Sequence, residues 1–302
     1  MNAKVRLGEF LQTRRSQLQP EDLGIPDFGE RRRVPGLRRE ELASLAGVSV
    51  SYYTRLEQGQ SLNASPQVLD AIARALRLEE AERLHLHNLA RSSATGPGSG
   101  RGRRPAPERV TEATGQLLEV LAQVPALVTG RRGDVLAWNR LGHALFAGHL
   151  DPGAPDRSAQ RPNMARLVFL DAHTRDLYAD WPAKARAVVG NLRLVAGRHP
   201  DDTALHALVG ELSAKSADFA SMWADHRVTA CAVATYGMRH PLVGPLTVTQ
   251  QTLSQGPGQE QGQNIVVATT EADSPARTTL ALLDQVTSQH GPARPGVRAS
   301  SS

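Results

Sequence analysis

The residues best suited to recognising another molecule lie between positions 37 and 59. Gly47, in the middle of this segment, can adopt the positive φ that a tight turn between two helices needs. Ser49 is a suitable N-cap for the helix that follows. One face of that helix combines hydrogen-bonding groups, including an arginine that could donate two hydrogen bonds to a guanine, with an apolar group that could contact a thymine methyl. This face comprises Val50, Ser51, Thr54, Arg55 and Gln58. The segment therefore predicts a helix-turn-helix whose second helix enters the major groove of DNA.

The same segment carries a family pattern. Residues 42–49 read Leu-Ala-x-x-Ala-Gly-Val-Ser, and Leu56 begins a Leu-Glu-x-Gly sequence. With these motifs, residues 4–90 resemble the lambda-repressor-like (Cro-type, or XRE) helix-turn-helix. The resemblance implies an all-α domain of five helices whose third helix reads double-stranded DNA. It places base contacts at Val50, Ser51 and Arg55, and contacts with phosphates or adjacent bases at Ser49, Tyr52 and Arg39.

Positive charge is concentrated in the first third of the chain. The formal net charge is +5, and residues 1–107 contain 17 Lys and Arg against 12 Asp and Glu. Residues 108–302 contain 18 of each kind, so their net charge is zero. This distribution favours a small domain that binds a polyanion, joined to a larger neutral domain with another role.

Three consecutive arginines precede the helix-turn-helix. We expect Arg31, Arg32 and Arg33 to neutralise DNA phosphates, which would make binding depend steeply on salt. The alternative is that they form a solvated loop. For Arg55, the alternative to base recognition is a contact with a phosphate or with Glu57.

Composition divides the chain into two folded domains. We expect a helix-turn-helix domain over residues 1–91, a flexible Gly-, Pro-, Ser- and Arg-rich linker over 92–107, a second domain over 108–288, and a disordered tail over 289–302. Because one recognition helix reads only a few bases, we expect a homodimer that binds paired half-sites. Candidate dimer surfaces are the helices predicted at 66–77, 80–90 and 110–122.

The second domain mixes strands and helices. Short apolar runs on either side of 131–134 are typical of a β-hairpin. Helical patterns follow between 140 and 226. Three strand-like stretches come next, at 228–237, 245–254 and 264–270. A final helix is predicted at 275–287. Strands, then helices, then strands predict an α/β domain in which helices pack on an antiparallel sheet.

Residues 108–287 also resemble a known family, the ligand-binding domain of MmyB-like transcription regulators, which are common in actinobacteria. The residues that carry the resemblance are Asp134, Trp138, Asn139, Ala144, Phe146, His240, Pro241, Val243 and Gly244. The resemblance implies a PAS-like fold whose five-stranded sheet cups an apolar cavity for a small, fatty-acid-like ligand. The chain departs from the family at 271–274, which read Glu-Ala-Asp-Ser where Glu-Pro-Gly-Ser is frequent.

Aromatic side chains of the second domain are candidates to line such a cavity, although each could equally be ordinary core. They are Trp138, Phe146, Phe169, Trp181, Phe219 and Trp223. A carboxylate on the ligand would need a cationic or polar partner inside the domain, and Arg239 and His240 are the candidates. Asn139 is expected to tie a strand-to-helix turn to the backbone.

Other classes of function find little support in the sequence. No apolar run is long enough for a membrane helix and the N-terminus lacks the apolar core of a signal peptide, which predicts a cytoplasmic protein without a membrane partner. Cys231 is the single cysteine, and the histidines show no metal-binding spacing, so no metal or cofactor is predicted. No catalytic motif is visible, so the chain is not expected to be an enzyme.

The interpretation is therefore a dimeric DNA-binding transcription regulator whose second domain senses a small apolar ligand such as a fatty acid. The alternative is that the second domain is a protein-interaction and dimerisation module without a ligand. A third hypothesis, an enzyme fused to a DNA-binding domain, lacks a catalytic constellation.

Overall fold

The computed structural model describes residues 3–23, 36–60, 64–94, 108–225, 232–254 and 263–289. The predicted phosphate contacts Arg31, Arg32 and Arg33 lie outside these ranges, as does Cys231. Among the described helices, none is both long enough and apolar enough to cross a membrane.

Tertiary contacts divide the chain into two units. The first consists of Met1–Ala106 together with Ala185–Cys231, and the second of Pro107–Lys184 together with Ala232–Ser302. The first unit therefore contains the helix-turn-helix and also a segment from the middle of the second predicted domain.

The N-terminal part of the first unit is helical. Its α-helices are α1 (Ala3–Gln17), α2 (Arg39–Ala46), α3 (Val50–Glu57), α4 (Pro66–Ala75) and α5 (Glu80–Ala94), with a short 3-10 helix at Pro20–Leu23. Each of the α-helices α1 to α5 contributes to one apolar core. Its fully buried side chains include Phe10, Leu42, Tyr53, Ile72 and Leu86. Burying a leucine or phenylalanine of this kind stabilises the fold by roughly 1.5–3 kcal/mol per side chain.

Both units receive residues from the helical segment between the strands. Its helices are α10 (Trp181–Arg198), α11 (Thr203–Lys215) and α12 (Ala217–Ala224). The first turn of α10 belongs to the second unit, and the remainder, with α11 and α12, belongs to the first. Asp202 and Ser216 cap α11 and α12, each accepting a hydrogen bond from the backbone N–H three residues further on.

A five-stranded antiparallel sheet forms the centre of the second unit. The strands are β1 (Ala126–Thr129), β2 (Val135–Trp138), β3 (Val233–His240), β4 (Gly244–Ser254) and β5 (Asn264–Thr269), in the spatial order β2-β1-β5-β4-β3. Register places Thr249 between Thr235 on β3 and Thr269 on β5. The predicted hairpin at 131–134 connects β1 and β2.

Helices surround this sheet. They are α6 (Glu112–Val120), α7 (Arg140–Ala147), α8 (Met164–Leu170), α9 (Ala172–Leu177) and α13 (Pro275–Gln289), with a 3-10 turn at Ala154–Asp156. Leu118 of α6 packs against Ala126, Val128 and Ile265 on one face of the sheet. We call this the outer face.

The predicted fold class is confirmed: a helical helix-turn-helix region precedes an α/β region with a five-stranded antiparallel sheet. Two details differ from the sequence-based expectation. The helix α9 was not predicted, since its pattern is interrupted at Asp171, which ends α8 and caps α9. Strand β3 continues to His240, beyond the end at 237 that its apolar run suggested.

Candidate functional site

The turn between α2 and α3 has the geometry that the glycine predicted. Gly47 has φ 66° and ψ 30°, in the left-handed region. Its N–H donates to the carbonyl of Ser44 at 3.1 Å, and the N–H of Val48 donates to Ala43 at 3.0 Å. A Cβ at Gly47 would meet no atom within 4 Å, so the glycine answers a conformational need rather than a steric one.

Helix α3 has one anchored face and one open face. Ser49 caps it, accepting a hydrogen bond from the N–H of Tyr52 at 3.2 Å. Tyr53 and Leu56 are fully buried in the core. The opposite side carries Ser49, Ser51 and Arg55, which are all exposed, and Val50, which is 47% exposed. Tyr52 is half-buried at the edge of this face. Four of the five residues of this turn and helix that are predicted to contact DNA are therefore exposed on a rigid element, and the sixth predicted contact, Arg39, lies on α2.

A buried ion pair fixes α3 to its neighbours. The carboxylate of Glu57, with a side chain only 1% exposed, accepts hydrogen bonds from Arg15 Nε at 3.0 Å and Arg15 Nη2 at 2.9 Å. Arg39 Nε donates to the same carboxylate at 3.0 Å. Burial alone would raise the pKa of Glu57, but the hydrogen bonds and charge of Arg15, and then of Arg39, hold that pKa below its ordinary value. Helices α1, α2 and α3 are thus joined through one carboxylate.

This ion pair clarifies two of the predicted DNA contacts. Arg39 is 43% exposed even while it binds Glu57, so its guanidinium lies at the surface in a fixed orientation. The described partners of Glu57 are Arg15 and Arg39, not Arg55, so the alternative in which Arg55 pairs with Glu57 is not the arrangement seen. Sequence reasoning did not identify the role of Arg15, because nothing local links α1 to a glutamate 42 residues further along.

The segment 185–225 completes the first unit. Leu194 on α10 is 7% exposed and belongs to the same core as α1 to α5. Arg6 on α1 donates to the carbonyl of Ala196 in the last turn of α10, at 3.3 Å, and to that of Pro200 just after the helix, at 3.1 Å. Gln17, the last residue of α1, donates to Asp225 Oδ1 at 3.0 Å. An apolar contact and several hydrogen bonds therefore hold this segment against α1.

In the second unit, the two candidate partners of a ligand carboxylate, Arg239 and His240, lie on opposite faces of the sheet. Successive residues of a strand point to opposite faces. His240 is 4% exposed and its Nε2 lies 3.0 Å from the carbonyl oxygen of Ala144, whereas Arg239 is exposed on the outer face. Burial lowers the pKa of His240, so the ring is neutral at pH 7. Of the two candidate partners for a ligand carboxylate, His240 thus faces the interior of the domain and Arg239 the outer face of the sheet.

The aromatic candidates are also divided. Phe146, Phe169 and Trp181 are buried in the second unit, where Phe169 and Trp181 pack edge to face with ring centroids 5.7 Å apart. Trp138 is half-exposed, and its indole N–H donates to Pro152 at 2.7 Å. The other two aromatic candidates, Phe219 and Trp223, lie on α12 in the first unit. Their rings stack on each other with centroids 5.6 Å apart.

The second unit contains a buried polar cluster, formed around Lys184 and Gln250, that the sequence did not predict. Lys184 is 8% exposed; its ammonium donates to Gln250 Oε1 at 2.7 Å and lies 4.9 Å from the centre of the Tyr236 ring. Gln250 Nε2 donates to the hydroxyl of Tyr178 at 3.2 Å, and burial raises the pKa of Tyr178 to about 12. The alternation of β4 places Gln250 on the inner face, and that periodicity could have marked it as buried.

Asn139 has the structural role that was expected. Its Oδ1 accepts hydrogen bonds from the N–H groups of Ala126 at 3.1 Å and Gly142 at 2.7 Å. Its Nδ2 donates to the carbonyls of Leu121 and Val124, each at 2.8 Å. One side chain thus joins α6, β1 and the start of α7. Across the described ranges, no three His, Cys, Asp or Glu side chains form a group that could hold a metal ion.

Comparison with protein families gives two matches. Residues 6–86 match a helix-turn-helix domain model. Residues 110–283 match the model of the MmyB-like transcription regulator ligand binding domain, which covers more than half of the chain. A search of curated proteins found no match. The chain therefore belongs to the MmyB-like transcription regulators and combines a helix-turn-helix with their ligand-binding domain.

Proposed function

We propose that this regulator recognises a specific DNA sequence through α3 and responds to a small molecule bound by its C-terminal domain. The proposal rests mainly on one observation, namely that α3 has a buried face and an exposed face. Tyr53 and Leu56 hold it in the core, while Ser51 and Arg55 stand exposed on the opposite side. A rigid helix with an exposed arginine suits the major groove, where a bidentate contact with guanine discriminates between bases by about 1–3 kcal/mol.

We assign distinct roles to the residues around α3. Arg55 and Ser51 hydrogen-bond base edges, and Val50 contacts a thymine methyl. Ser49, Tyr52 and Arg39 contact phosphates or adjacent bases. The fixed, surface-exposed guanidinium of Arg39 supports this role, because phosphate contacts set the orientation of a helix on the duplex. Arg31, Arg32 and Arg33 remain proposed phosphate contacts.

We infer that the regulator acts as a homodimer. A single recognition helix contacts only a few base pairs, whereas two copies related by a twofold axis would read two half-sites about one helical turn apart.

The domain division proposed from the sequence is a helix-turn-helix domain at 1–91, a linker at 92–107, a ligand-binding domain at 108–288 and a tail at 289–302.

Ligand binding and DNA binding are coupled, in this proposal, by a population shift. A ligand that favours one arrangement of the dimer would thereby set the spacing between the two recognition helices that meet the paired half-sites. A ligand that changed neither the affinity for the operator nor the shape of the dimer would contradict this coupling.

The ligand that we propose is small and apolar, in the class of fatty acids. The buried aromatic side chains Phe146, Phe169 and Trp181 support an apolar binding region in the second unit. The alternative is a protein-interaction module whose core is filled by its own side chains. Denaturing extraction of the purified full chain, followed by mass spectrometry, separates the two: a stoichiometric lipid supports sensing, and its absence from protein grown with fatty acids supports interaction.

DNA recognition is tested by selecting genomic fragments with the full chain in the presence of scrambled competitor DNA. We expect enrichment of fragments that share a repeated half-site, and a steep fall in affinity as salt increases. Arg277→Ala removes an exposed arginine of α13, outside the DNA-reading helix. It is the control for Arg55→Ala and should leave the selected motif unchanged. Recovery of fragments without any shared motif would contradict the proposal.

A further inference from the structure

An open pocket lies on the outer face of the sheet, within the second unit. Its volume is about 920 Å³. Strands β3 and β4 form its floor, the end of β5 and the first residues of α13 form one wall, and Ala179 lies at the opposite edge. Phe146, Phe169 and Trp181, proposed above for an apolar ligand, are not among the residues that line it.

Gly237 gives the floor of this pocket its depth. It lies in the middle of β3, opposite Thr247, at a position where the strand faces the pocket. A Cβ built there would contact only the Cβ of Ala179, at an ordinary 3.5 Å. The packing of the described residues therefore does not require a glycine. A glycine inside a strand weakens the strand and often marks a place where a ligand approaches the backbone.

Hydroxyl groups dominate the floor. Thr235, Thr247, Thr249 and Thr269 come from three adjacent strands and all line the pocket. The hydroxyl oxygens of Thr235 and Thr249 are 3.1 Å apart. Each hydroxyl can donate one hydrogen bond and accept others, so this floor suits a ligand with alternating N–H and C=O groups better than an alkyl chain.

Opposite charges stand on the two sides of β4. On one side of β4 lies Arg239 of β3, opposite Pro245. On the other side lies β5, and Glu271 comes two residues after its end. Both residues line the pocket and both are exposed, and within the described ranges neither side chain forms an ion pair. Two strand spacings separate their strands, about 10 Å.

From these features we propose that the pocket binds a short peptide with free termini, about three residues long. Its carboxylate would contact Arg239, its ammonium group would contact Glu271, and its amides would hydrogen-bond the threonine hydroxyls. Three extended residues span about 10 Å, which is comparable to the spacing between strands β3 and β5. This ligand is chemically distinct from a fatty acid, and the inference does not rest on the proposed DNA-binding function.

Trialanine is the probe, titrated into the full chain by calorimetry at low ionic strength. We expect saturable binding that weakens about tenfold when the peptide is amidated at its C-terminus or acetylated at its N-terminus, because each cap removes one charge-assisted hydrogen bond. Decanoate should not compete. Absence of saturable trialanine binding, or displacement of trialanine by decanoate, would overturn the proposal.

Variants assign each end of the peptide. Arg239→Gln should abolish the difference between trialanine and its amide while keeping the effect of acetylation, and Glu271→Gln should do the reverse. Arg186→Gln and Glu119→Gln change exposed charges that do not line the pocket and should preserve both differences. Gly237→Val should weaken all three peptides by filling the floor. Retention of both cap effects in Arg239→Gln and Glu271→Gln refutes the assignment, whether or not Gly237→Val folds.

Discussion

Replacing Leu194 with alanine should destabilise the helix-turn-helix, although Leu194 lies far from it in the sequence. Leu194 is 7% exposed and packs in the core formed by α1 to α5. Removing a buried leucine side chain costs roughly 2–5 kcal/mol, and a site at the edge of a core falls toward the lower end, about 2.5 kcal/mol. That value corresponds to about a 60-fold increase in the opening equilibrium constant of the unit.

Hydrogen exchange followed by mass spectrometry measures this effect in the full chain. Amides of α1, α3 and α5 that exchange through opening of the whole unit should do so about 60-fold faster in Leu194→Ala than in the parent protein. Leu282→Ala is the matched control, since Leu282 is 47% exposed on α13. It should change stability by no more than about 0.5 kcal/mol. Faster exchange confined to α10 would refute the view that residues 185–225 stabilise the DNA-reading region.

Three further predictions concern caps, charges and pH. Glu57→Gln leaves Arg15 buried without a carboxylate and should lower the free energy of unfolding by about 3 kcal/mol in urea denaturation, whereas exposed Glu40→Gln should have little effect. Because the pKa of Glu57 is lowered in the folded state, its contribution is present above about pH 4.5 and is lost on further acidification. The acid-induced loss of stability should therefore be shallower in Glu57→Gln. Ser49→Ala removes the cap of α3 and should cost about 1 kcal/mol, measured by thermal unfolding. The lowered pKa of His240 means that folding disfavours its protonated form, so stability falls as the pH decreases below 6.5, and His240→Asn should reduce that loss.

Local signals predicted the helix-turn-helix well. The positive φ of Gly47 and the cap at Ser49 depend on residues within a few positions, so sequence alone was sufficient to locate them. The ion pair of Arg15 and Glu57 depends on how α1 packs against α3, and that packing leaves no trace in either helix alone. Residue type indicated that a charge was present, but only the tertiary structure identified its partner.

The ligand-binding candidates show a different limit. Apolar residues belong to some core, but residue type does not reveal which one, so Phe219 was grouped with Phe169 although they lie in different units. For Arg239 and His240 the information was present in the sequence. Adjacent residues of a strand face opposite sides of the sheet, so only one of these two candidates can face the inside of the domain.

The most direct test of the central claim is a measurement of base preference for the parent chain and for Arg55→Ala on a randomised DNA library. Recognition of base edges by α3 predicts that the variant loses discrimination at one base pair in each half-site, by roughly 1–3 kcal/mol, while preferences at the other positions persist. A uniform loss of affinity for every sequence, with the preference profile unchanged, would show that Arg55 contacts only the phosphate backbone and would contradict the account.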